Sequence, residues 1–419
     1  MRHDRALTRR VAAGPHTWRV ANPEHTTEER RASWTELFFD LVAVAGIGQL
    51  THLLHRGPSL AEFGLYVVLY LAFWVVWACV TVYSNVAGEQ ARTTMVFGCM
   101  FGLCVMMAAV DGLPGEHAGV FAAIYVLVRI VSAMVWRRGQ VVVDWPVAQI
   151  GAGTVPWVVS LWVPAPWKFV LWAVGLAIDL WIMFAVDAER RMVDAERRIR
   201  ARLRRGRGRA PRGGPRGHAT LPKLQALHAD SPHLGERLGQ FLIIVLGEGV
   251  ISVIAAVSAE EWTVPVAMIG VCAFLSLLAM WALTLRFGFV PRMMEQSADA
   301  SPLLLPRLMA MHCALSGAVA TVAAGLGLVA AHPSGHLPAG MGWVLCGGAA
   351  AYFLVCGLGG VPSAGYLWLL RWPLPCLVVA LGLALASPHL GGVWTVVGVT
   401  VVLIASVVSE ATRVTTPMA

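Results

Sequence analysis

The run Phe63–Ser84, FGLYVVLYLAFWVVWACVTVYS, decides the fold, because it holds neither a charged residue nor a proline over 22 positions. At about 1.5 Å per residue it spans the roughly 30 Å hydrocarbon core of a bilayer as a helix. In lipid a helix is the form in which one segment satisfies all of its own backbone hydrogen bonds. Similar runs recur near 34–54, 93–110, 118–136, 145–163, 167–186, 238–257, 263–285, 304–330, 338–360, 366–386 and 391–410. Composition agrees: of 419 residues 57% are hydrophobic and 13% charged, with mean hydropathy +0.67, against about 25% charged in a soluble domain. A water-soluble enzyme is excluded. The expected fold is an all-α, polytopic membrane helix bundle of about twelve crossings.

The charges orient it. Of 32 basic residues only Lys168 and Lys223 are lysines, and the +8 balance comes largely from arginines at the N-terminus and within 190–216. With the N-terminus in the cytosol, Arg92, Arg137, Arg138, Arg286, Arg292, Arg307 and that basic stretch lie inside, leaving Arg56 and Lys168 outside, as the positive-inside rule asks. Both termini are expected in the cytoplasm. Residues Arg2, Arg5, Arg9 and Arg10 are separated from the first apolar run by a mixed charged segment, which is not the signal-peptide pattern. The eight cysteines all fall in apolar runs without a CxxC pair and read as packing residues.

The chain divides into a basic tail (1–33), a first six-helix half (34–186), an Arg-rich cytosolic stalk and linker (187–236), a second six-helix half (237–410) and a short tail (411–419). Six crossings before a cytosolic linker put the halves in parallel orientation. The stalk opens on a near-repeat of seven, Val186–Met192 then Val193–Ile199, and runs into Arg/Gly/Pro-rich sequence with no aromatic residue between 190 and 216. That composition suits anionic lipid headgroups and not nucleic acid.

A charge at the centre of a spanning helix costs about 2.5–3.5 kcal/mol, so each needs a partner or a task. Glu36, Asp40, Arg129, Asp179, Glu248 and His312 are such residues. Counted at about 1.5 Å per residue, Asp40 and Asp179 lie about 9–10 Å from the cytosolic face, His312 about 12 Å, and Glu248 and Arg129 near the midplane. Glu36 and Asp40 are one turn apart on one helix face. Gly247 and Gly249 flank Glu248 and leave room for a helix, a water or an ion. The shared depth predicts one interior chamber, with Tyr83, Asn85 and Tyr125 as candidate lining. Two readings stand: a buried network in which Arg129 neutralises Glu248 or Asp179, or a pathway for protons or a small cation with His312 as a proton carrier. Trp34, Trp145, Trp157, Trp162, Trp167 and Trp262 read as interfacial anchors.

Trp34-Thr-Glu-Leu-Phe-Phe-Asp-Leu-Val with Gln49-Leu-Thr-His52, and His233-Leu-Gly-Glu-Arg-Leu-Gly-Gln-Phe-Leu-Ile-Ile-Val-Leu-Gly-Glu248, resemble the two signature stretches of the bacterial low temperature requirement A (LtrA) family. Weaker echoes run through Trp77–Thr81, Tyr83, Asn85, Arg92, Tyr125, Arg129, Asp179 and Met311-His312, so the resemblance spans most of 30–410. Where the family carries an acidic run after the Asn85 position, this chain has Val86-Ala-Gly-Glu-Gln-Ala. The resemblance implies a multi-pass protein of the bacterial plasma membrane and supplies no mechanism.

The leading expectation is therefore a transporter or ion-translocating protein for a small ion or small molecule, with intramembrane carboxylates and a histidine as its working groups. The alternative is a membrane-embedded enzyme on a lipid or isoprenoid substrate, with acids such as Asp40 as general acid or metal ligand. HExxH, GxSxG, DDxxD and Walker patterns are missing from the sequence, and cofactors stay open. A structural or sensory protein whose stalk binds a partner ranks third.

Overall fold

The protein, seen in a computed structural model, is described over residues 32–54, 58–88, 91–134, 141–143, 151–185, 225–227, 230–287, 304–333 and 337–415. The near-repeat at 186–199, the basic stretch and both tails' outer parts lie outside these residues. The first half comprises α1 (Trp34–Gln49), continued by a 3-10 turn Leu50–Leu54, α2 (Leu60–Ala87), α3 (Thr93–Val110), α4 (Ala118–Met134), α5 (Thr154–Ser160) and α6 (Trp167–Ala185). The second comprises α7 (Ser231–Ala259), α8 (Val264–Trp281) with a π-helical turn Ala282–Arg286, α9 (Leu304–Ala330), α10 (Ala339–Gly342), a π-helical turn Trp343–Gly347, α11 (Gly348–Ala364), α12 (Leu367–Arg371) and α13 (Pro373–Thr415). Two three-residue segments, Val141–Val143 and Gln225–Leu227, pair in parallel register; helices make up nearly all the rest.

Helix starts follow local chemistry. Ser33 with Glu36, and Ser59 with Glu62, close capping boxes on α1 and α2, in which hydroxyl and carboxylate satisfy backbone N–H groups that the first turn leaves unpaired. Asp230 caps α7 by accepting from the His233 N–H. Gly391, at φ 74°, interrupts α13, a left-handed conformation that glycine adopts without a Cβ penalty. The expected boundary between the last two crossings falls there.

Eight helices among the described residues are long and apolar enough to cross a membrane. The expected twelve is not reached by this count, for physical reasons. Pro373–Thr412 counts once although Gly391 divides it, Ala118–Met134 is shorter than the others, and Trp167–Ala185 is not among the eight. Within the segment read as a crossing at 145–163, the described residues contribute the seven-residue helix Thr154–Ser160.

The bundle is organised around α2. Its residues from Ala72 to Val82 are all buried, so this helix meets protein on every side. α9 is enclosed to a similar degree and packs against α7 and α11, while α7 also packs on α1, α2 and α8. Trp34, Trp162, Trp167 and Trp262 are exposed at helix ends, as interfacial anchors should be. Trp157 is the exception: it is wholly buried and stacks on Trp172 with ring centroids 4.6 Å apart. Trp145 lies outside the described residues.

Candidate functional site

The first cluster joins α1 to α7. Glu36 and Asp40, one turn apart, both face Arg237: its Nη2 pairs with Asp40 Oδ1, and its Nη1 stands 3.6 Å from Glu36 Oε1. His233, one turn before Arg237, approaches the same Glu36 oxygen at 3.4 Å. The Trp77 indole N–H donates to Asp40 Oδ1 at 2.7 Å. Asp40 and Arg237 are completely buried and Glu36 nearly so, so each carboxylate depends on this cation for its charge balance.

On the same face of α2 the Trp74 indole N–H donates to His312 Nδ1 at 3.2 Å, and His312 Nε2 lies 3.2 Å from the Leu238 carbonyl. An indole can only donate, which makes Nδ1 the acceptor and Nε2 the donor to Leu238. Both ring nitrogens are thereby engaged. Trp77 stacks on the imidazole at 5.2 Å and packs on Phe241 at 4.2 Å, linking His312 to the Asp40 cluster through one aromatic ring.

The second cluster lies across α2. Arg129 Nη2 pairs with Asp179 Oδ2 at 3.2 Å, and its Nη1 donates to Cys79 Sγ at 2.7 Å. Cys79 is two positions after Trp77, a turn of roughly 200°, so they leave α2 on opposite sides. Tyr125 covers Trp157 with ring centroids 4.0 Å apart. Gly153 admits Asp179: a Cβ built there would sit on the carboxylate. Gly153→Ala is therefore expected to lower stability by about 1–3 kcal/mol through overpacking. Thermal unfolding in detergent checks this, and an unchanged midpoint would count against the packing described.

Glu248 stands apart from both clusters. Half-buried on α7, it presses its carboxylate against the bare Cα of Gly48 on α1. A void of about 10 Å³ beside it is lined by Gly48, Thr51, Gly249, Ser252, Ala320 and Ala323, among others, which is room for about one water. No hydrogen-bond or ion-pair partner reaches it among the described residues.

The residues read from the sequence as one chamber are thus divided. Glu36, Asp40 and His312 gather on one side of α2, Arg129 and Asp179 on the other, and Glu248 lies at the contact of α1, α7 and α9. The Tyr83 hydroxyl accepts from the Arg92 backbone N–H at 3.0 Å. Asn85 exchanges two hydrogen bonds with the backbone of Asp230, at 2.8 and 3.1 Å. Neither these two nor Tyr125 lines the apolar cavity bordered by Tyr66 and Tyr70. That cavity, about 820 Å³, lies between α2, α6, α9 and the α10–α11 rod, and none of the described residues on its wall is charged. Among the described residues no group of three or more His, Cys, Asp or Glu could hold a metal ion.

Arg237 and His233 are not among the residues that the sequence marks as candidates, although they lie in the His233–Glu248 stretch. Their four-residue spacing, which puts them on one helix face, is the one sequence signal that could have marked them. Trp74, Trp77 and Cys79 carry no such signal, since in an apolar helix they look like packing.

A family model described as Bacterial low temperature requirement A protein (LtrA) matches residues 31–407. No curated protein and no solved structure matches the chain.

Proposed function

From a chain that belongs to the bacterial low temperature requirement A (LtrA) family and forms a multi-pass helical membrane protein, we propose a transporter that moves a proton or small cation through Glu248. One observation carries the reading: of the four acids that the sequence marks as intramembrane candidates, Glu36, Asp40 and Asp179 each meet an arginine, and Glu248 meets none among the described residues. Charge on Glu248 can be balanced only by something other than the described side chains, a proton or a small cation brought to it. The void beside it has room for a guest of that size and no more. Small residues on all three neighbouring helices (Gly48, Gly249, Ala320, Ala323, Ala324) line the contact, and such surfaces let backbones approach and slide.

In this reading the arginine-paired acids hold α1, α2, α4, α6 and α7 in register around the moving part. The positive-inside distribution supports a plasma-membrane protein with both termini in the cytoplasm. The lipid-enzyme alternative draws less support, because the large apolar cavity has no acid among the described residues of its wall to serve as a proton donor.

Proteoliposomes loaded with a pH-sensitive dye test the proposal under an imposed potassium diffusion potential. Wild-type protein is expected to carry protons well above protein-free vesicles, and Glu248→Gln, nearly isosteric, to fall to the protein-free rate while remaining monodisperse. Equal rates in wild type and variant, or no wild-type flux above protein-free vesicles, would overturn it.

A further inference from the structure

The cavity of about 820 Å³ takes no part in the ion pathway proposed for Glu248. Its size falls within the roughly 300–1,000 Å³ of small-ligand sites. Its contents follow from its wall. No described side chain on it is charged, and its hydroxyls are already engaged. Thr321 Oγ1 donates to the Gly317 carbonyl at 2.7 Å and lies 3.3 Å from the Tyr66 hydroxyl, which must then be the donor between them. The Tyr70 hydroxyl donates to the Cys313 carbonyl at 2.7 Å. A polar guest or a file of waters would find almost no free partner here, and a buried water needs two to four.

Shape narrows the occupant further. Along α2 the wall runs from Ser59 to Leu71, about 18 Å of helix at 1.5 Å per residue. One leaflet of a roughly 30 Å hydrocarbon core is about 15 Å deep. The groove is also open sideways: Leu60 is 88% and Val67 37% exposed on its rim, and both belong to a membrane-spanning helix. The medium next to that rim is hydrocarbon. Left unfilled, the wall atoms would forfeit dispersion contacts along the whole groove.

We propose that this groove binds one acyl chain of a membrane phospholipid, entering from the membrane face on which α2 and α10 begin. A free fatty acid fits less well, because the described wall offers no cation for its carboxylate, whereas a phospholipid leaves its headgroup in the interface. The chain lies along Phe63, Tyr66 and Tyr70 of α2, opposite Ala314 of α9 and Val344 and Gly347 of the facing rod.

The test uses full-length protein in nanodiscs containing a phosphatidylglycerol with a diazirine near the end of one acyl chain, irradiated and mapped by peptide mass spectrometry. Adducts are expected on Phe63, Tyr70 and Val344. As an internal reference, adducts are also expected on Phe101 and Ile254, which are 72% and 62% exposed on other membrane-spanning helices. Ala314→Trp fills the groove from α9, and Gly347→Leu fills it from the other wall, where a new Cβ meets only ordinary contact with Trp343. Either variant that remains monodisperse should lower the groove adducts about tenfold relative to the reference, a loss of about 1.4 kcal/mol in occupancy. Unchanged groove labelling in both variants would overturn the proposal. So would groove labelling by a free diazirine fatty acid in the absence of labelling by the phospholipid.

Discussion

Arg237→Met is expected to lower the stability of the protein by about 3–5 kcal/mol, the cost of removing one partner from a buried ion pair. The single cation stands between Asp40, wholly buried, and Glu36, and no second arginine replaces it among the described residues. Its loss leaves Asp40 Oδ1 with the Trp77 N–H alone. Combining Arg237→Met with Asp40→Asn removes the orphaned charge and keeps an acceptor for Trp77, so more than half of the lost stability should return. Reversible unfolding in mixed micelles measures both. A single variant within about 1 kcal/mol of wild type would mean that the α1–α7 contact does not depend on this pair, since buried pairs rarely break so cheaply.

The second large effect belongs to the other side of α2. Arg129→Met should cost a similar amount, about 3–5 kcal/mol, because Asp179 is buried with that guanidinium as its counter-charge. Arg129→Met with Asp179→Asn should again recover much of it. Arg237 and Trp77 hold Asp40 while Arg129, bonded to Cys79, holds Asp179, so the milder changes Asp40→Asn and Asp179→Asn are expected to add within about 0.5 kcal/mol when combined. A coupling well above that value would restore the single chamber that the depths along the chain had suggested.

That expectation shows where depth misleads. Asp40 and Asp179 do belong to the same slice of the membrane when counted along their helices, but a slice is a plane and α2 stands in the middle of it. Counting residues gives the coordinate along the helix axis; the angle around the bundle comes from packing. His312 shows the same thing from the other side: it meets the Asp40 cluster through Trp77, a residue that periodicity assigns to packing.

Glu248 was legible as an oddity, an acid between two glycines in the middle of an apolar run. Which glycine would matter was not: Gly48, 200 positions earlier, is the one against which its carboxylate rests. The groove was not legible at all. It is a space between helices, lined by small residues such as Ala314, Gly317 and Gly347, and small residues in a sequence are as consistent with tight packing as with a void.

What the sequence by itself determined is the class of molecule and its helices, because long uncharged windows are local, and lipid obliges them to satisfy their own backbone. Which charge neutralises which was decided only by tertiary structure. Asp40 finds its cation 197 residues away and Arg129 its anion 50 away, and such pairs depend on which helices touch and which faces they turn. A bilayer makes each crossing nearly alike in its demand for apolar surface, so the choice among neighbours rests on close packing and a few buried polar contacts.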